Sequence, residues 1–83
     1  MASANKIRSL GKDKILEMFN NPPNFREATP EAAIFIEMLV IYMRYCNDTF
    51  DGAAYEDRVN NPRKHATVFV DRLLAGEFGG DLI

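Results

Sequence analysis

Eighty-three residues, 47% apolar and 27% charged, make a globular balance with room for one core and not two. A core this small supplies little net stability, so a partner or a second copy would add to it. The net charge of −2 argues against a general nucleic-acid binder but does not exclude a local basic patch.

Residues 1–5 are small and polar and read as flexible. A short helical turn follows over 4–10, with Ile7 and Leu10 on one side, and Gly11 interrupts it as a cap or a hinge. Residues 12–20 read as a second helical piece whose apolar face is Ile15, Leu16, Met18 and Phe19. Asn20-Asn21-Pro22-Pro23 ends it, because each proline removes an amide donor and pushes its predecessor out of helical geometry. Phe25 in the following loop is expected to plug the core beneath it.

The central element is a nearly all-apolar helix over about 30–47. Thr29 is its N-cap and Pro30 its first residue, where a missing amide hydrogen costs nothing. A helix hydrophobic almost all round must be covered on most sides. Its run from Ala32 to Cys46 is too short to span a bilayer and contains Glu37 and Arg44, so no membrane insertion is expected. A turn cluster over 47–52 leads to a short helix ending near Val59, with Asp51 as its cap. Asn61 and Pro62 repeat the cap-plus-proline start, and the last helix runs over 62–75. In it Ala66, Phe69, Val70, Leu73 and Leu74 follow core spacing, and Gly76 stops it. The tail 77–83 reads as loose, with 79–83 flexible. No stretch alternates over strand length. The expectation is one domain, an all-α orthogonal bundle of four to five short helices around the central one.

Chemistry is thinly represented. One cysteine, Cys46, and one histidine, His65, cannot build a zinc site within a chain, and no cofactor motif occurs. A lone cysteine and no apolar leader fit a reducing, cytoplasmic setting. Asn47, Thr49, Asp51 and Gly52 match the start of a calcium loop, but Arg58 stands where a bidentate Glu belongs. Cys46 lies at the C-terminal end of its helix, where the dipole raises a thiol pKa. No catalytic residue is assigned, and the chain is read as non-enzymatic.

Two surfaces remain. On the central helix, Glu37, Val40, Ile41 and Arg44 share a face by spacing, which is the candidate docking side. Phe50, Tyr55 and Phe78 are the aromatics placed to join it, since they lie in a turn, a short helix and the tail. The other surface is basic: Arg58, Arg63, Lys64 and Arg72 around the last helix. Charge is uneven along the chain, +3 over 1–26, −6 over 27–57 and +1 over 58–83, so segments could pair within or between chains.

The leading expectation is a protein–protein interaction module: a small regulator, adaptor or inhibitor, with a protein target or a homodimer as partner. Motif-free domains of this size are common among phage and mobile-element accessory proteins, so a lysis-timing regulator or a host-enzyme antagonist fits. The alternative is a helix-turn-helix-like DNA regulator using helix 62–75. It is the lesser expectation, because acidic residues 48–57 precede that helix.

Overall fold

The computed structural model describes residues 4–24, 26–48 and 50–78. Within them the chain is all-helical: α1 (Ala4–Arg8), α2 (Lys12–Asn20), α3 (Pro30–Asn47), α4 (Gly52–Asn60) and α5 (Pro62–Leu74). These form a small bundle. α2 lies along α5, α4 bridges α3 and α5, and α1 touches both α3 and α5. None of the described helices is long and apolar enough to cross a membrane.

The breaks occur where backbone chemistry demands them. Gly11 adopts φ +88, a conformation that other residues reach only with strain, and so α1 and α2 are two helices rather than one bent one. Thr29 Oγ1 accepts from the Ala32 amide at 3.1 Å, and Asp51 Oδ1 from the Ala53 amide at 2.9 Å. Each cap satisfies one of the amides that a helix start leaves unpaired. Asn61 stands at the equivalent position of α5 but does not cap it through its side chain. Its amide group instead donates back to Asp57 Oδ1 at 2.9 Å, because a single residue separates α4 from α5.

Gly76 is the C-terminal counterpart. With φ +89 it reverses the chain, so that the Gly76 amide reaches the Leu73 carbonyl at 3.1 Å and the Glu77 amide the Arg72 carbonyl at 3.2 Å. This is a Schellman closure. It delivers Phe78 back onto the core, with ring centroids 5.5 Å from Phe69.

The core is aromatic at its centre. Phe69 is fully buried and meets Phe19, Tyr42 and Tyr45 at centroid distances of 5.9, 5.1 and 5.8 Å. Edge-on and tilted contacts of this kind add stabilisation beyond area burial. Ile7, Ile15, Met38, Cys46, Val70 and Leu73 fill the remaining space. Ala4 is buried at the start of α1, and residues 4 and 5 belong to that helix. The expectations for residues 1–3, Phe25 and 79–83 fall outside the described residues.

Three arginines close this arrangement in the same way. A helix leaves its last carbonyls unpaired and carries negative partial charge there. Arg8 Nε donates to Leu73 O at the end of α5, at 2.6 Å. Arg63 donates to Phe19 O at 3.3 Å and Asn20 O at 3.0 Å, at the end of α2. Arg58 Nη1 donates to Tyr45 O at 2.7 Å and Asp48 O at 3.3 Å, at the end of α3. Each arginine comes from a different helix than the one it closes, so each ties two elements together.

Candidate interaction surface

α3 buries one side and exposes the other. Ala32, Phe35, Met38, Ile41, Tyr42, Tyr45 and Cys46 face inward. Ala33, Ile36, Val40, Met43 and Asn47 are exposed, Val40 at 52%. Their steps of three, four, three and four residues place them within an arc of roughly 80° on a helix. The result is an apolar stripe, Ala33 to Met43, along about three turns with Asn47 continuing its line, the spacing that a partner helix reads as a seam. Exposed aliphatics elsewhere, Val59, Val68 and Leu74, do not form such a row on α3.

The outer face is therefore real but rotated by roughly 70° from the one expected from Glu37, Val40, Ile41 and Arg44. Val40 is on it. Ile41 is not: it is only 3% exposed and packs in the core, because α3 turns Ile41 to the same side as Met38 and Tyr45. Glu37 is half-buried and Arg44 exposed, and both lie along one edge of the stripe. Ile36 and Met43 were missed. Their signal was the 3-4 repeat itself, which the choice of face by its charges obscured.

The three aromatics divide. Phe50 projects fully into solvent just past the end of α3. Tyr55 and Phe78 do not offer free surface: both are partly buried against the core. For Phe78 the cause is the Gly76 reversal, and the Arg72 guanidinium also lies 5.5 Å from its ring.

A shallow hollow adjoins the N-terminal end of the stripe. Ala28, Thr29, Pro30, Ala33 and Ile36 line it. A separate cleft between α2 and the start of α3 is lined by Leu10, Lys14, Met18, Pro23, Glu31 and Ile34.

The basic residues near α5 are absorbed by the fold. Arg58 and Arg63 hold helix ends, as above, and Arg58 also stacks 4.3 Å above the Tyr45 ring. Lys64 Nζ pairs with Asp57 Oδ2 at 3.0 Å. Arg72 pairs with Asp48 and with Glu77, the latter at 3.1 Å. α4 and α5 are joined by one residue, whereas a helix-turn-helix uses a turn of about three to four. The interior polar groups are equally committed. The Tyr42 hydroxyl donates to Arg58 O at 2.7 Å, and burial pushes its pKa well above the ordinary value. Burial likewise raises the Cys46 thiol, the direction opposite to an activated nucleophile. His65 Nε2 lies 2.7 Å from Asp57 Oδ2 rather than against Cys46. The Lys64 and His65 hydrogen bonds, in that order, pull the Asp57 carboxyl down to about 2. Among the described residues no group of three His, Cys, Asp or Glu side chains is placed to hold a metal.

No protein-family model matches this chain, and neither a curated protein nor a solved structure does.

Proposed function

We propose that the chain is a non-enzymatic protein–protein interaction module, a small regulator, adaptor or inhibitor that docks through the outer face of α3. The observation carrying this reading is the stripe of Ala33, Ile36, Val40 and Met43 in contact with water. Three large aliphatics in line on an 18-residue helix are a standing hydrophobic cost, which covering would relieve. The composition of the stripe fits an interface: it is apolar at its centre, holds a methionine, and has Glu37 and Arg44 at its edge rather than its middle.

The engagement of Arg58, Arg63, Lys64 and Arg72 within the fold weighs against a DNA reading that uses helix 62–75.

A photo-crosslinking residue at Val40, against the same residue at Val68, tests the proposal. Both positions are 52% exposed, on different helices. Adducts in expressing cells should form from position 40 and not from 68. Equal yields from both, or none from position 40, would overturn the docking role of α3.

A further inference from the structure

The turn that follows α5 rests on a seat made by other elements, and we propose that this seat is a peptide-binding site which the chain's own Glu77 and Phe78 keep closed. The ligand class is a protein segment carrying an acidic residue next to an aromatic one. The seat is built from the C-terminal halves of α3 and α5, and the proposal does not rest on the outer face of α3.

The seat stands without the turn. Its floor is Phe69, which is held by Phe19, Tyr42 and Tyr45 at centroid distances of 5.9, 5.1 and 5.8 Å. Tyr45 is fixed in turn by the Arg58 guanidinium, 4.3 Å from its ring. Arg72 supplies the cation, 5.3 Å from the Tyr45 ring and paired with Asp48. None of these contacts uses residues 76–78.

Glu77 and Phe78 fill the seat as two separate groups. The Phe78 ring rests 5.5 Å from the Phe69 ring and 5.5 Å from the Arg72 guanidinium. Glu77 Oε2 accepts from Arg72 Nε at 3.1 Å. An acid and a ring in adjacent positions thus meet a cation and a ring, and that pairing defines the ligand. A competing segment replaces Glu77 and Phe78 one for one. Arg72 keeps Asp48 throughout, so the exchange strands no charge.

The closure is shallow. Phe78 remains partly exposed, and the Glu77 side chain is 47% exposed, so its ion pair is wetted and weak. Two backbone hydrogen bonds hold the rest of the turn, from the Gly76 amide to Leu73 O and from the Glu77 amide to Arg72 O. Gly76, at φ +89, is the hinge, since a residue without a Cβ passes between conformations at little steric cost. The tether keeps Glu77 and Phe78 at high local concentration beside the seat, which holds the site shut until a ligand is abundant.

A fluorescent peptide of residues 76–83 probes the site in full-length chains, with binding read by polarisation. Phe78→Ala empties the seat. That chain should bind the peptide about tenfold or more tighter than the unaltered chain, whose site is available only in its open fraction. The same peptide carrying Phe78→Ala should bind neither. Far-UV circular dichroism checks the fold of the variant. If it does not fold, the isotope-labelled unaltered chain gives the answer: excess unlabelled peptide should move the Phe78 ring resonances, and the ring-less peptide should leave them in place. A folded Phe78→Ala chain that takes up no peptide at millimolar concentration overturns the proposal. So do equal affinities of the two chains, a ring-less peptide that binds as well, or Phe78 resonances that do not respond.

Discussion

Arg58→Ala is the substitution on which the structural reading of the basic residues depends. The Arg58 side chain is partly buried and closes the end of α3 through Tyr45 O at 2.7 Å and, more loosely, Asp48 O at 3.3 Å. Hydrogen bonds from a charged donor contribute about 1.5–3 kcal/mol, the short one here falling in the lower part of that range because water reaches the site. Stacking 4.3 Å over Tyr45 adds about 0.5–1 kcal/mol. Truncation to alanine should therefore cost about 2–3 kcal/mol. Stability for a domain of 83 residues is on the order of 4–12 kcal/mol, so the variant remains folded at room temperature. The melting temperature should drop by roughly 8–20 °C for a domain of this size. Arg58→Lys keeps a cation near the helix end but loses the planar fork, and should fall between the two. Urea and thermal unfolding followed at 222 nm read both quantities (a far-UV wavelength that reports helix, about 222 nm). An Arg58→Ala protein within about 0.5 kcal/mol of the parent would refute the capping role and return Arg58 to the free surface.

Four further outcomes follow from the same geometry. Phe69→Ala removes the ring at the centre of the aromatic cluster and should cost about 3–5 kcal/mol by chemical denaturation, enough to leave much of the chain unfolded at physiological temperature. Gly76→Ala meets no atom within 4 Å, so its cost is the positive φ alone, roughly 1–2 kcal/mol. That variant should also loosen Phe78 from Phe69, visible as sharpened Phe78 ring resonances. The Cys46 thiol should react with a disulfide reagent only as fast as the chain unfolds, since it is inaccessible and its pKa is raised; prompt labelling of the native protein would contradict its burial. Asp57 has a folded pKa below its ordinary 3.8, at about 2, because Lys64 and His65 hydrogen-bond to its charged form. A carboxyl lowered in this way stabilises the fold above pH 3.8, and that contribution is lost as pH falls towards 2. Asp57→Asn should therefore flatten the acid limb of melting temperature against pH in that window, with the two proteins converging at its lower end.

Much of the fold was legible because its boundaries are written in residues with few alternatives. Thr29-Pro30 fixed the start of α3, Gly11 and Gly76 marked two ends, and the 3-4 spacing of Ala66, Phe69, Val70 and Leu73 marked the buried side of α5. The long-range roles of side chains were not legible. Nothing local distinguishes an arginine that will close a distant helix end from one that will meet a phosphate, and Arg58 and Arg63 were for that reason read as a solvated face, with phosphate contact as the alternative. Asn61 failed as a cap because the one-residue link to α4 put Asp57 within its reach. The exposed side of α3 was expected at Glu37, Val40, Ile41 and Arg44, whereas the structure exposes Ala33, Ile36, Val40, Met43, Arg44 and Asn47 and buries Ile41. Glu37 and Arg44 were taken as its centre, whereas long polar side chains commonly sit at the border between buried and exposed surface. Ile41 was thereby drawn out of the core, and Ile36 and Met43 were left in it. Phe78 was read as part of a free tail because the return bend depends on Gly76 and Glu77 together with the ring contact, and no single one of these announces it.

The most direct test of the central claim compares methyl resonances of the labelled protein, isolated over a concentration series, with those in an extract of expressing cells. Docking through the outer face of α3 predicts that the methyl signals of Ile36, Val40 and Met43 shift or broaden together in the extract or as concentration rises, while those of buried Met38 and of exposed Val68 stay in place. Shifts centred on Val68, or stripe resonances that move neither in the extract nor at any concentration, would contradict it.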